Sequence, residues 1–306
     1  MGAEESPRQL GPDQQEVALE YQFELAKEAN VIPWINTYYG ESDDAITQTA
    51  QLAKSYGFNL IVVESQNEYW NQGGPYQGNL IRNDGVKAGL ATDPNVAGAR
   101  LAAQTGANVV KIFRSVLGPS HIKGVFGAQA TWGAWANDGL SFVPAGSFDA
   151  LAIAPYFNNV APLPATATVA DWEASCSTWI NTVLDNGLSE NQAAASKAGV
   201  ELWTYEGGQS LFPLMSGAPS VPLQDTAAKL AAFNADFMTA FQTNPAMGRL
   251  YDLLFATCRK HGVTEFTHFY LWGYWGSGGY WSLKQFPGDA DGPKGQALQR
   301  AISAGN

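Results

Sequence analysis

Two glutamates that each follow a short β-rich apolar run are the residues of this 306-residue chain best placed to do chemistry. Glu68 lies in the segment 64–71, and Glu206 ends an apolar run in the segment 201–208, where two glycines follow it. Glycines let a ligand approach the backbone closely. A pair of carboxylates on two strand ends suits cleavage of a glycosidic bond, with one group as acid and the other as base or nucleophile.

Each glutamate also has a less specific interpretation. Glu68 can be a loop carboxylate in water, and Glu206 can be a strand-terminal carboxylate in a turn. We favour chemistry for both, because the active sites of α/β barrels lie at the carboxyl ends of the strands. Period-two alternation from Leu60 to Glu68 puts Glu64 on the same face, where we interpret it as a buried structural carboxylate paired with a donor rather than as a third catalyst.

The elements that must position these glutamates follow a repeated order of short apolar strand, loop rich in Gly, Asn, Trp and Tyr, and amphipathic helix. That order is typical of parallel βα units. Six strands are predicted, at residues 31–37, 60–67, 122–128, 148–157, 201–206 and 264–272. Helices are predicted at residues 13–30, 42–56, 93–117, 171–184 and 190–198, over 225–261 with a break at Asn244-Pro245, and after Pro293.

The predicted fold class is α/β, a TIM-type (β/α) barrel that is incomplete in this chain. A closed barrel of this type has eight strands. Six βα units are recognised, and strands 1 and 2 of the barrel are not identified. We therefore expect the chain to begin after two units of the barrel. The alternative is that these two strands lie in segments that the pattern does not identify as strands. Residues 1–12 are expected to be a disordered start or one that expression introduced, and residues 13–306 a single catalytic domain.

Composition limits the partners. A net charge of -11 with only 17 Lys and Arg argues against a nucleic-acid partner. No run reaches the ~18 apolar residues of a membrane span, and no signal-peptide core is present. We expect the full-length protein to be secreted or periplasmic. No His or Asp cluster has metal-site spacing, so neither a metal nor another cofactor is predicted.

The cysteines and the aromatic residues add two expectations. Cys176 and Cys258 lie in predicted helices, where two free thiols are favoured over one disulfide. The chain has 10 Trp, 12 Tyr and 15 Phe. Many of these rings belong in a core, but sugar rings also stack on aromatic faces, which suggests a saccharide ligand.

Asn67-Glu68 at the end of one strand and Glu206 at the end of the third strand after it resemble the pattern of retaining (β/α)8 glycoside hydrolases of clan A. The similarity is greatest to the cellulase-like bacterial members of that clan. It extends to residues 33–36, 154–156 and 271–273. The resemblance runs from about residue 13 to the end, and strands one and two of the clan's barrel have no counterpart.

The resemblance implies that Glu68 is the general acid/base and Glu206 the nucleophile, with carboxyl groups ~5–5.5 Å apart. It also implies that Asn67 binds a sugar 2-hydroxyl, that Tyr156 orients Glu206 and that Trp272 is a platform for a sugar ring. We expect a raised pKa for Glu68 and an ionised Glu206. The remaining candidate substrate-binding residues are Trp34, Asn36, Trp70 and His268.

His268 is placed inward on the last predicted strand, together with Tyr270 and Trp272. A core role and a sugar contact are both open for it. The expected function is that of a retaining, endo-acting hydrolase of a β-linked polysaccharide, with β-1,4-glucan favoured and xylan, mannan and galactan open. The alternative is a non-catalytic carbohydrate-binding protein derived from a hydrolase barrel. A homodimer in which a second copy completes the barrel is a further expectation, because unpaired strand edges invite association.

Overall fold

The structure is a computed structural model that describes residues 17–73, 76–161, 163, 166–211, 235–276 and 279–304. The chain divides into two compact units. Unit 1 consists of Met1–Ala152 and Ala193–Leu202, and unit 2 of Ile153–Gln192 and Trp203–Asn306. Residues 1–12 lie outside the described part, and one domain over residues 13–306 stays a prediction.

Eight strands occur in the described residues: β1 (Trp34–Thr37), β2 (Ile61–Ser65), β3 (Ile122–Gly127), β4 (Ala150–Ile153), β5 (Tyr156–Phe157), β6 (Glu201–Thr204), β7 (Gly208–Gln209) and β8 (Val263–Phe266). Strands β1 to β4 pair in parallel, and so do β5 and β7. Six of the strands form one sheet with the order β1-β2-β3-β4-β6-β8, and the other two form a small sheet of β5 and β7.

Helices alternate with the strands of the main sheet, as the sequence predicts. A π-helical turn at Ile180–Leu184 joins the helix Val169–Trp179 to the helix Asp185–Ala198 without a break. The helices of the described residues are α1 (Leu19–Ala29), α2 (Asp43–Ser55), α3 (Gly78–Lys87), α4 (Pro94–Leu117), α5 (Gly133–Leu140), α6 (Val169–Trp179), α7 (Asp185–Ala198), α8 (Ala235–Gln242), α9 (Pro245–Lys260) and α10 (Pro293–Ser303). None of them combines the length and the apolar character that a membrane crossing requires.

Every predicted strand overlaps an observed strand, and in each case the observed strand is shorter than the predicted one. The segment 148–157 holds two strands rather than one, because Pro155 has no N–H to donate to a ladder. The last strand ends at Phe266 rather than at Trp272. The strand predicted over 60–67 ends at Ser65, where the backbone turns left-handed at Gln66.

Two helices of the described residues, α3 and α5, lie where no helix is predicted. The two helices predicted at 171–184 and 190–198 form one continuous helical run with the π-turn inside it. The break at Asn244 is confirmed, since its side chain accepts from the backbone N–H of Ala246 and caps α9. Residues 225–234 and 1–16, on which parts of two predicted helices fall, lie outside the described residues.

Unit 1 is built around strand β2, whose five residues are all buried. Helix α4 packs on this part of the sheet, and Gly124 of β3 permits the contact because a side chain at that position would collide with Val110. Arg114 near the end of α4 donates to Asp149 at 2.7 Å. The carboxylate of Asp149 also accepts from the N–H of Gly124, so one residue ties helix α4 to strand β3.

Unit 2 has its core around helix α9. Tyr251 and Leu254 of this helix are fully buried. The two cysteines lie in helices α6 and α9 and are both buried and unbonded, as the favoured prediction had it. Burial raises the pKa of each thiol to about 12.

Asp93 provides a test of the helix that spans unit 1. Its Oδ1 accepts from the N–H groups of Asn95 and Val96 at 2.7 and 3.1 Å and caps α4. We expect Asp93→Ala to lower the free energy of unfolding by about 1 kcal/mol, because two N–H groups lose their acceptor. Asp93→Asn should keep most of the stability, since an amide oxygen caps as well. Urea unfolding followed by circular dichroism would measure both, and equal losses would contradict the capping role.

Candidate active site

Glu68 lies on the loop that leaves strand β2, and this loop is left-handed at two positions. Gln66 has φ 45° and Glu68 has φ 55°, which is uncommon for residues other than glycine. The amide of Gln66 is fixed at both ends, since it accepts from the N–H of Tyr39 at 2.8 Å and donates to the carbonyl of Tyr76 at 3.0 Å. Strained backbone of this kind clusters at functional sites, so backbone geometry adds to the case for Glu68.

The same left-handed turn corrects the predicted alternation from Leu60 to Glu68. Strict alternation needs extended backbone, and the strand ends at Ser65. Glu64 is part of the strand, whereas Gln66 and Glu68 are placed by the loop. The two glutamates therefore owe their positions to different local structure.

The carboxylate of Glu68 is held by its own loop. The side chain of Asn71 donates to Oε2 of Glu68 at 2.7 Å, and Glu68 is only 7% exposed. A water-exposed loop carboxylate does not describe this residue. Gly78, at the start of α3, lies so close to Asn71 that a side chain there would collide with the Asn71 carbonyl.

Glu64 accepts two hydrogen bonds from the neighbouring strand β1. Its Oε2 accepts from Nε1 of Trp34 at 3.0 Å and from Nδ2 of Asn36 at 3.2 Å. The sheet register sets these contacts, because Asn36 lies directly opposite Glu64. Glu64 is 1% exposed, and Gly127 of β3 leaves the space that its carboxylate occupies. These contacts agree with a buried structural carboxylate, and they fix the orientation of Trp34 and Asn36.

Arg82 is a buried residue that sequence reasoning missed. Its Nη2 donates to the carbonyl of Trp70 at 2.8 Å and its Nη1 to the carbonyl of Gly78 at 2.7 Å. Its guanidinium also lies 4.9 Å from the ring centroid of Trp135, a cation–π distance. Arg82 thereby joins the loop after Glu68 to the start of α3. No local pattern in the sequence separates it from an exposed arginine of a short helix.

Two further candidates lie on the Glu68 loop. Asn67 and Trp70 are both partly exposed. The loop orients Trp70 through its carbonyl, which Arg82 binds. Sugar contacts by Asn67, Trp70, Trp34 and Asn36 stay predictions.

Glu206 follows strand β6 in unit 2, and Tyr156 contacts it. The hydroxyl of Tyr156 donates to Oε1 of Glu206 at 3.1 Å. This contact follows from the small sheet, in which Tyr156 of β5 pairs with Gly208 of β7, two residues beyond Glu206. A hydroxyl donor stabilises the ionised carboxylate more than the protonated one. Glu206 is partly exposed and therefore open to a ligand.

His268 lies beyond the end of strand β8, which corrects its predicted place inside that strand. Its Nε2 is 3.0 Å from the hydroxyl of Tyr251, and that hydroxyl accepts from the N–H of Gln209. The hydroxyl proton of Tyr251 is therefore available to Nε2. Burial, and secondarily the charge of Lys294, lowers the pKa of His268 to about 3, so its imidazole is neutral.

Trp272 lies in the loop that follows β8. Tyr270, two residues earlier, has φ 59°, and this left-handed turn ends the alternation that placed His268, Tyr270 and Trp272 on one face. Trp272 is 54% exposed, which leaves its ring accessible for stacking. Its role as a sugar platform stays a prediction.

Within the described residues, no group of three or more His, Cys, Asp or Glu side chains has an arrangement that could hold a metal ion. The separation of Glu68 and Glu206 stays a prediction.

Removing the donors of Arg82 tests whether it anchors the Glu68 loop. We expect Arg82→Met to lower the free energy of unfolding by about 2–4 kcal/mol, because buried carbonyls lose their partners. Lys87→Met on the same helix is the control, since Lys87 forms an exposed ion pair with Asp84 and such pairs contribute at most about 1 kcal/mol. Chemical unfolding measures both variants. Equal stabilities would rule out the anchoring role.

The neutral state of His268 predicts a pH effect on stability. Its pKa in the folded protein, about 3, lies below the ordinary value of 6.5, so protons bind preferentially to the unfolded chain. The stabilisation is present above pH 6.5 and is lost as the pH falls towards 3. Relative to His268→Gln, the wild type should lose about 1 kcal/mol of unfolding free energy per pH unit between pH 6 and 4.

Exposed His121 provides the control for this effect. His121→Gln removes an exposed imidazole and should give the same stability profile as the wild type. Thermal and urea unfolding at several pH values would measure the difference. Parallel pH profiles for the wild type and His268→Gln would show that His268 is not held neutral.

Solved structures with a similar fold were found, although no protein-family model and no curated protein sequence matches the chain. XacCel5A is 9% identical with a TM-score of 0.50, over 94% of this chain and 77% of that one. A 4-O-α-L-rhamnosyl-β-D-glucuronidase from Fusarium oxysporum is 11% identical with a TM-score of 0.51, over 93% and 52%.

An endo-β-1,4-mannanase from Cellulomonas fimi aligns with 96% of this chain at 13% identity. Its TM-score is 0.47, and the chain spans only 60% of the mannanase's length. Identities this low establish the fold alone. The two structures with TM-scores of 0.50 and 0.51 confirm the α/β fold of the TIM-barrel type that the sequence predicts.

Proposed function

We propose that the chain is a glycoside hydrolase that uses Glu68 and Glu206 in a retaining, double-displacement mechanism. One observation carries the proposal: each glutamate lies within three residues of the end of a strand of the main sheet and accepts a hydrogen bond from a side-chain donor, Asn71 for Glu68 and Tyr156 for Glu206. Fold likeness alone does not select an activity, so the proposal depends on these side chains.

The roles follow from the surroundings of each carboxylate. Glu206 accepts from a tyrosine hydroxyl, which favours the ionised form that a nucleophile needs. Glu68 is nearly buried, and burial favours the protonated form that a general acid needs. The amide of Asn71 still orients the carboxyl group when the proton is carried by the other oxygen.

In the first step, Glu68 donates its proton to the glycosidic oxygen while a carboxylate oxygen of Glu206 attacks the anomeric carbon. The bond to the leaving sugar breaks and a glycosyl ester forms on Glu206. In the second step, Glu68 takes a proton from water, and the water oxygen attacks the anomeric carbon and releases Glu206. Two inversions leave the configuration unchanged.

A β-linked polysaccharide is the proposed substrate, with β-1,4-glucan as the first candidate and an endo mode of attack. Exposed Trp272 supports a saccharide, because an accessible indole ring can stack on the C–H face of a pyranose. Mannan, xylan and galactan belong in the same substrate panel.

The prediction that a second copy of the chain associates with the first is proposed as well, and light scattering at several concentrations tests it.

Substituting the two glutamates tests the reaction. Glu68→Gln and Glu206→Gln should each lower the release of reducing sugar by roughly a thousandfold or more, because each removes a group that forms or breaks a bond. Glu265→Gln, an exposed carboxylate of β8, is the matched control and should keep wild-type activity. NMR of the first product should show a retained anomeric configuration.

Three results would contradict the proposal. Full activity in Glu68→Gln or Glu206→Gln excludes that residue from the reaction. An inverted product excludes the nucleophile role of Glu206. Binding of an oligosaccharide by the wild type, with no hydrolysis on the whole panel, supports the alternative of a non-catalytic carbohydrate-binding protein.

A further inference from the structure

Lys294 is a fully buried lysine at the start of helix α10 in unit 2. It is 0% exposed, and it is the only buried lysine among the described residues. Burying an ammonium group is unfavourable, and burial lowers the pKa of Lys294 well below its ordinary value. The amino end of a helix also disfavours positive charge. Neither the stability of α10 nor packing explains a lysine at this position, because methionine would fill similar space without a charge.

Three acceptors surround the amino group. Nζ of Lys294 donates to the carbonyl of Ser282 at 2.6 Å, to the carbonyl of Tyr280 at 2.9 Å and to Oε1 of Gln242 at 2.9 Å. It also lies 4.8 Å from the ring centroid of Trp275. Two of the acceptors belong to the backbone of one short segment, residues 280–282, so the amino group fixes that segment.

The first of these carbonyls leads to Trp272. Nε1 of Trp275 donates to Oγ of Ser282 at 2.8 Å, and Oγ donates to the carbonyl of Gly273 at 2.7 Å. The N–H of Gly273 donates to the carbonyl of Lys284 at 3.0 Å. The residue that follows Trp272 is therefore held on both sides by the segment that Lys294 fixes.

The second carbonyl leads towards Glu206. The carbonyl of Tyr280 also accepts from Nε2 of Gln209, and Gln209 lies in β7. Strand β7 pairs with β5, where Tyr156 donates to Glu206. Through these hydrogen bonds, the amino group of Lys294 connects the backbone next to Trp272 with the backbone that follows Glu206.

We propose that Lys294 is a positioning residue, which acts through Ser282 and Tyr280 to hold Trp272 and the segment after Glu206 in the arrangement that binds a sugar ring. This role depends on the proposed hydrolase function for its effect on turnover. The positioning itself is a property of the fold and can be measured without a substrate.

The experiment compares Lys294→Met with the wild type by hydrogen exchange and by kinetics. The N–H of Leu283, next to Ser282, donates to the carbonyl of Tyr270 at 3.3 Å. In Lys294→Met the amides of Gly273 and Leu283 should exchange at least tenfold faster, while amides in α4 keep their protection. For an oligosaccharide substrate, kcat/KM should fall about tenfold or more, chiefly through a higher KM. Lys111→Met, an exposed lysine on α4, is the matched control and should behave as the wild type.

Wild-type exchange at Gly273 and Leu283 in Lys294→Met would overturn the proposal, and so would an unchanged KM in an active enzyme. If the wild type hydrolyses no glycan, the proposed function fails, yet faster local exchange in the variant still supports positioning. Should Lys294→Met not fold, Ser282→Ala decides, since it removes the Oγ link to Gly273 without touching the charge. Faster exchange at Gly273 together with a raised KM supports the proposal, and wild-type values for both overturn it.

Discussion

Buried cations that bind backbone carbonyls are the interaction on which both candidate regions depend. Loops that leave parallel strands carry carbonyl groups that no ladder satisfies, and such groups need donors once they are buried. Arg82 supplies donors in unit 1 and Lys294 supplies them in unit 2. Each side chain carries several donors at the end of a long stem, so one residue can bind two carbonyls of a loop at the same time. Burying a charged side chain is unfavourable, but its burial is what makes these loops rigid.

The backbone of the Glu68 loop shows why such anchoring is required. Left-handed residues other than glycine are strained, and two of them lie within three positions at Gln66 and Glu68. A loop of this kind relaxes unless its surroundings fix it. Here Gln66 bonds at both ends of its amide, and Asn71 bonds to the Glu68 carboxylate. The left-handed turn gives Glu68 a position that it would not have if β2 continued as an extended strand.

Strand existence was predictable from the sequence, while strand ends were not. The apolar runs that became β2 and β3 stand out because buried parallel strands are apolar on both faces. The turn at Gln66 and the early end of β8 depend on contacts with distant residues such as Tyr39, which no local pattern contains. The sequence identifies Glu64, Trp34 and Asn36 as strand residues. Their shared hydrogen bonds could not be predicted, because these depend on the register of β1 against β2. Arg82 and Lys294 gave no signal, because burial of a charged residue is decided by tertiary packing.

The two cysteines have a practical consequence for work on the aromatic loop after β8. Thiols react as thiolates, and a thiol with a pKa of about 12 inside a packed helix offers almost none at neutral pH. A cysteine introduced at Tyr274, which is 78% exposed, would therefore be alkylated selectively while the native fold persists. A fluorescent group attached there would stand two residues from Trp272 and report directly on what docks against that indole.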